Sequence, residues 1–409
     1  MLSLGLLAVL AAPVQAQVDA TQAQRLRDYL DRAVAEQQAV GVVAMVMHRG
    51  QVVFSHAAGW ADREAGRPMS TSTIFRIASQ TKALTSVAAM ILVEEGRLGL
   101  SEPISRWLPG FDSTTVSVPD SSAPGGARIV PARRQITVRD LLTHTAGMSY
   151  GREARLEPLY AARGLGPEAG LGWYFAHKNV DICTAIQPLA RLPLAAQPGE
   201  RFVYGYGTDV LGCVVEKASG VALDRFIRER ITAPLGMNDT RFCLDRSEAG
   251  RIAAVYRPSG DTLVRAVDGP TGQGDYVGGP CRAFSGGAGL LSTAGDYGRF
   301  LEMLRRGGTL DGVRILSPAS VRLMVTDHLG DLYQGPAVGF GLGFEVYHEP
   351  AAMGRYGKPG RWGWGGAYHS NYWVDPQHEA VFVYMVQTLP APSSAMRERF
   401  QAMAYAMLP

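Results

Sequence analysis

The sequence predicts an α+β protein: an antiparallel sheet flanked by helices and built from both chain ends, with a mostly helical lobe inserted between them. Three observations lead there. Runs of strand length gather near the two ends of the 409-residue chain, whereas segments with helical period fill its middle. The end runs VVAMVMH and EAVFVYMVQ are apolar on both faces, which implies a sheet covered on both sides. At this length, and with 46% hydrophobic residues, the chain can bury a large core and is expected to do so in two lobes. The boundaries read as an α/β lobe from 17–75 and 285–409, a helical lobe with long loops from 76–284, and an active site where the lobes meet.

In chain order, MLSLGLLAVLAAPVQA is a short apolar stretch ending in Val14-Gln15-Ala16, so residues 1–16 read as a signal peptide and the protein as exported, periplasmic or secreted. No later segment reaches the ~18 apolar residues of a membrane span. Helical period runs from Ala20 to about Gln38, and VVAMVMH and QVVFSHAAGW then flank Arg49-Gly50 as a strand pair. ALTSVAAMILVEEG, TVRDLLTHTAG, TDVLGCVVEKASG, ALDRFIRERI and TAGDYGRFLEMLRRGG read as helices. Thr137 with Asp140, and Thr293 with Asp296, have capping-box spacing. The polar stretches SVPDSSAPGGARIVPA and VYRPSGDTLVRAVDGPTGQGDYVGGP read as lids or decorations. VGFGLGFEVY, YHSNYWVD and EAVFVYMVQ read as three more strands, and SSAMRERFQAMAYAML as a closing helix.

Composition excludes several functions. Acids and bases nearly balance at a net charge of +3, which leaves no electrostatic footprint for nucleic acid. The histidines form no HxH or HExxH pair and the cysteines no CxxC, so neither a metal nor another cofactor is expected. Cysteines 183, 213, 243 and 281 are even in number and compatible with one or two bridges, but their spacing leaves the pairing open. Cys213 reads as a small buried hydrophobe on a helix.

The chemistry centres on Ser79-Gln80-Thr81-Lys82, which precedes apolar residues at Leu84, Val87, Ala88, Ile91 and Leu92. That period places Ser79 in the first turn of a helix, with Lys82 one turn on along the same face. An amine beside a hydroxyl, at a helix end whose N–H groups favour negative charge, suits a serine nucleophile. The plainer alternative is a capping serine followed by a solvated lysine. Lysine usage argues against it, because only four of forty basic residues are lysines. A chain that uses arginine almost everywhere has placed in an apolar helix the one cation that can give up a proton.

The blocks FRIASQTKALTSVAAM, DLLTHTAGM, YGTDVLGCVVEKASG, PLGMNDTRF, SGGAGLLSTAGDYGRF and WGWGGAYHSNYWVDP resemble, in order, those of the serine β-lactamase and penicillin-binding-protein superfamily. More narrowly they resemble family VIII carboxylesterases, relatives of class C β-lactamases. The resemblance implies the β-lactamase/DD-peptidase fold. It implies that Tyr204 lies between the nucleophile and the lysine and relays protons, and that the backbone N–H groups of Ser79 and Ala367 form the oxyanion hole. Trp364-Gly365-Gly366 falls where lactamases carry Lys-Thr-Gly, so an indole replaces the cation that attracts a lactam carboxylate. Tyr206 falls where lactamases carry an asparagine, and it joins Trp364, Gly365 and Gly366 as a substrate-binding expectation.

Gly147-Met148-Ser149-Tyr150-Gly151 also satisfies G-x-S-x-G, but a helical segment precedes it where the nucleophile elbow needs a strand. His144 reads as a structural hydrogen-bonding residue, and Trp173 and Tyr174 as a pocket wall or packing. The expected activity is hydrolysis of small-molecule esters of short to medium chain. A β-lactamase or D-alanyl peptidase, which would need another cation such as Arg361, and an acyltransferase are the alternatives. Oligomeric state stays open.

Overall fold

An eight-stranded antiparallel sheet ties the two chain ends together. It is seen in a computed structural model describing residues 18–166, 175, 178–269, 273–390 and 393–409. The predicted leader, and the wall formed by Trp173 and Tyr174, lie outside the described residues. After helix α1 (Ala20–Ala35) come strands β1 (Gly41–His48), β2 (Gln51–Asp62) and β3 (Arg67–Pro68). The rest of the sheet comes from β4 (Val338–Phe340), β5 (Glu345–Tyr347), β6 (Arg361–Gly365), β7 (Asn371–Asp375) and β8 (Ala380–Met385). Its order is β4-β5-β6-β7-β8-β1-β2-β3, so the first long strand pairs directly with the last, Val43 facing Met385 and His48 facing Ala380.

Every residue of β1 is buried because both faces are covered. Val43, Met45 and Met47 join one core, whereas Val42, Ala44 and Val46 join another. The first is packed by α2 (Thr81–Glu94) and α4 (Ala294–Arg305). The second is packed by α1 and the closing helix α5 (Ala395–Ala406). Val42, Val43 and Val46 are each 0% exposed and contribute about 1.5–3 kcal/mol apiece by burial. Between the halves lies α3 (Gly207–Ser219), which stops at Gly220 in the left-handed region (φ 73°) and packs against α2. The run Thr81–Leu92 of α2 is buried on all sides, as a helix with apolar residues around its whole girth must be.

The elements differ from expectation in four places. VGFGLGFEVY is two strands, β4 and β5, turned back on each other at Gly343 (φ 99°), where a Cβ would meet Ser86 Oγ at 2.4 Å. The two polar stretches are β-hairpins for much of their length, Thr115–Pro119 with Ala127–Pro131 and Tyr256–Ser259 with Thr262–Arg265. Thr137 and Asp140 form a complete capping box, but Thr293 and Asp296 form half of one, because the Asp296 carboxylate accepts from Asp239 N and Thr240 Oγ1 instead. All four cysteines are paired, Cys183 with Cys213 and Cys243 with Cys281; Cys213 is buried as expected, but as half of a bridge.

Candidate active site

Ser79 lies in a 3₁₀ turn, Ala78–Gln80, that runs into α2 rather than in the α-helix itself. Ala78 before it is fully buried in the left-handed region (φ 45°), a conformation that costs a non-glycine residue free energy and is held only by its surroundings. Part of that hold is β6. A Cβ on Gly366 would meet the Ile77 carbonyl oxygen at 2.6 Å, so glycine lets the end of this strand close on the turn that carries Ser79. The neighbouring N–H of Ala367 donates to no acceptor among the described residues.

One turn beyond Ser79, Lys82 is 2% exposed. Its ammonium donates to Ser79 Oγ at 3.3 Å, to Tyr150 Oη at 3.1 Å and to the Gly287 carbonyl at 2.7 Å. The ring of Tyr204 lies 4.7 Å from the same nitrogen, just before α3 begins, and its hydroxyl accepts from Trp364 Nε1 at 3.2 Å. Tyr204 therefore presents its ring to Lys82 and its oxygen to the indole of β6.

Beneath Gly287 is Asp209 of α3, fully buried. Its Oδ1 accepts from Ser285 Oγ at 2.5 Å and from Gly287 N at 3.1 Å, which fixes the carbonyl that receives Lys82. A Cβ on Gly287 would lie 2.4 Å from Asp209 Oδ2, so only glycine fits over this carboxylate. Burial pushes the Asp209 carboxyl up to about 6, against the downward pull of the Lys82 charge.

A cavity of about 590 Å³ opens on Ser79, Tyr204, Trp364 and Ala367, with Gly365 and Gly366 on its wall. Tyr206 does not belong to this wall, which corrects the sequence expectation. Its side chain is fully buried, its hydroxyl accepts from Gly166 N at 3.2 Å, and its ring packs edge-on to Tyr150 at 4.8 Å. The residue that does reach the site from this layer is Tyr150, which the sequence reading overlooked. The G-x-S-x-G decoy contains it. Ser149 itself donates to the Glu153 carboxylate at 2.6 Å, accepts from Gly151 N and is buried. The ring of His144 packs 4.7 Å from Tyr204 and 5.5 Å from Phe202, and its carbonyl accepts from Val203 N at 2.7 Å. Burial and the nearby Lys82 charge hold its pKa well below the usual imidazole value, so it is neutral at physiological pH.

Known proteins extend this picture over the whole chain. The family model "Beta-lactamase" matches residues 26–406. Protein Rv1367c of Mycobacterium tuberculosis is 40% identical over 368 residues, 86% of each chain. Esterase EstB of Burkholderia gladioli is 35% identical over 369 residues, 87% of this chain and 88% of its own. The structure of EstCE1, described as a hydrolase with promiscuous acyltransferase activity, superposes with a TM-score of 0.77 at 29% identity, covering 94% of this chain and 98% of its own. With the family model spanning residues 26–406 and esterases among its relatives, the chain belongs to the Beta-lactamase family, within the serine β-lactamase and penicillin-binding-protein superfamily and near the family VIII carboxylesterases.

Proposed function

We propose that the protein is a carboxylesterase acting on esters of short to medium chain through an acyl-enzyme on Ser79. The observation that carries this reading is the buried Lys82 ammonium directed at Ser79 Oγ at 3.3 Å, in a site whose β6 wall offers the neutral indole of Trp364. In the proposed reaction the Lys82 side chain, as the neutral amine, takes the proton from Ser79 Oγ as that oxygen attacks the ester carbonyl, and the Tyr204 hydroxyl relays it toward the leaving group. The resulting oxyanion accepts from the N–H groups of Ser79 and Ala367, donors worth a few kcal/mol each in the transition state. Collapse breaks the bond to the leaving oxygen, which takes the stored proton and departs as the alcohol. Water then repeats the sequence on the acyl-enzyme and releases the acid.

The similarity to the esterase EstB supports ester chemistry, and the similarity to EstCE1, a hydrolase with promiscuous acyltransferase activity, supports acyl transfer as a side reaction of the same acyl-enzyme. Two disulfides support the reading of residues 1–16 as an export leader, since such bridges persist in oxidising compartments.

Ser79→Ala is expected to abolish release of p-nitrophenol from p-nitrophenyl butyrate, and Ser149→Ala to retain most of it. The reverse outcome would move the nucleophile to Ser149. Turnover of the butyrate is also expected to exceed that of a chromogenic cephalosporin. A clear preference for the cephalosporin would overturn the argument from Trp364.

A further inference from the structure

The cavity that opens on Ser79 does not end at Trp364. It continues past Gly363 and Gly365, which share a face of β6 with Arg361, and its far wall carries Arg355, Arg361 and Arg397. A guanidinium buried without a carboxylate is costly, and Arg361 is one, with the charges of Arg355 and Arg397 beside it at the same end of the cavity. Arg361 is 4% exposed and held by neutral groups. Its Nη atoms donate to the Tyr356 carbonyl and to the side-chain oxygen of Gln401, and its plane covers Tyr347 and Trp373 at 5.0 and 5.3 Å. Its Nε has no partner among the described residues. Arg355 meets Glu398 at 3.7 Å, but neither Arg361 nor Arg397 has a carboxylate within 4.0 Å among the described residues.

The other acids near this end are already engaged. Glu345 accepts from the hydroxyls of Tyr333 at 2.8 Å and Tyr347 at 2.5 Å. Asp375 accepts from Lys358 N, from His378 and from Tyr405 Oη. Burial lowers the pKa of both Arg361 and Arg397, and the charge of Arg355 pushes each the same way. An incoming anion relieves both effects, and a guanidinium fork matches a carboxylate in two parallel hydrogen bonds.

We propose that this end of the cavity is an anion subsite, and that the protein's ester substrates carry a carboxylate remote from the ester bond. The inference rests on the esterase reading of Ser79 and adds a substrate class to it. Arg361 and Gly365 are the two ends of β6, a separation of ~13 Å of strand. A β-lactam, whose carboxylate adjoins its reactive ring, does not span that length. A monoester of a long dicarboxylic acid does.

The test uses the full chain with p-nitrophenyl monoesters of adipic, suberic and sebacic acid, each beside its methyl-capped neutral counterpart. At the suberic or sebacic length the free acid is expected to show about a tenfold higher kcat/KM than its capped form, an advantage that shrinks with added salt. Arg397→Gln and Arg355→Gln, both at partly exposed positions, are expected to bring the ratio to about twofold or less. Their melting temperatures report whether the fold survives. The subsite is overturned if capped esters match the acids at every length, or if the advantage survives both substitutions. Ser79→Ala separates the two ideas. Capped-ester turnover that persists in it sinks the nucleophile, whatever the ratio. Loss of that turnover, with no carboxylate preference in the wild type, sinks the subsite alone.

Discussion

Lys82 directs its three N–H bonds at three parts of the chain, and only one of those partners was legible in the sequence. The contact with Ser79 follows from helical spacing. The contact with Tyr150 was hidden because that residue belongs to a segment matching another family's motif, and only the fold turns its hydroxyl toward Lys82. The contact with the Gly287 carbonyl could not be read at all, since a backbone oxygen has no signature in sequence. Tyr206 failed for a related reason: residues two apart at a helix entrance point to different sides, and here only Tyr204 faces the cavity. Tyr150→Phe is expected to leave the fold intact and to lower kcat/KM roughly tenfold, the effect of removing one hydrogen bond to a charged group. Unchanged kinetics would show that Tyr150 is packing alone. Asp209 gives a prediction in pH. Its carboxyl is raised from 3.8 to about 6, so the folded state holds a proton that the unfolded state has already released between those values. Its stabilising contribution is therefore full below pH 4 and lost as pH rises through about 6. Asp209→Asn keeps an acceptor for Ser285 and Gly287 but lacks this decline. Its stability relative to the wild type is expected to grow between pH 4 and pH 7 by on the order of 3 kcal/mol, read from urea midpoints. A constant difference across that window would show that the buried carboxyl does not titrate as described.

At the scale of elements, period and apolarity carried far. The helices α1, α3, α4 and α5, the body of α2, and strands β1, β2, β7 and β8 lie where spacing put them, because each buries a face or a full surface that its own residues announce. What was missed depends on contacts between distant segments. β4 and β5 look like one strand until Gly343 is seen to turn against Ser86. The polar hairpins carry little hydrophobic pattern, one pairing across the Gly-, Ser- and Pro-rich stretch 120–126 and the other across Gly260-Asp261, so polarity was read as loop. The helix that was to begin at Ser79 starts at Thr81, because the preceding turn is tightened to meet the end of β6. That meeting is testable. Gly366→Ala forces a Cβ to 2.6 Å from the Ile77 carbonyl, so β6 and the Ser79 turn must part by several tenths of an ångström. Because misplaced donors weaken transition-state binding more than substrate binding, kcat is expected to fall at least ~tenfold with KM changed much less. A raised KM with kcat unchanged would place the effect on substrate binding instead.

Over the whole molecule, the sheet's closure by both chain ends was legible because β1 and β8 are apolar on both faces, and such strands require neighbours and covers on either side. The cysteine pairing was not, since four cysteines permit three connectivities and only the tertiary fold selects one. The observed bridges have different neighbourhoods. Cys183–Cys213 joins the short helix Ile182–Ala185 to α3, spans 30 residues and encloses Tyr204, whereas Cys243–Cys281 spans 38 residues and encloses the hairpin of Tyr256–Ser259 with Thr262–Arg265. Loops of these lengths correspond to about 3.5–4 kcal/mol each in the chain-entropy account. The loss from Cys183→Ala with Cys213→Ala is expected to exceed that figure, because Cys213 is fully buried on the helix that carries Asp209 and its truncation also leaves a void. Its ester turnover is expected to fall as well, since α3 sets both Tyr204 and the Asp209–Gly287 contact behind Lys82. Cys243→Ala with Cys281→Ala, away from Lys82, is expected to lose about 3–4 kcal/mol in urea unfolding while turnover of p-nitrophenyl butyrate at 25 °C stays within about twofold. Equal losses of turnover in the two double variants would show that the bridges act on the site through overall stability rather than through α3.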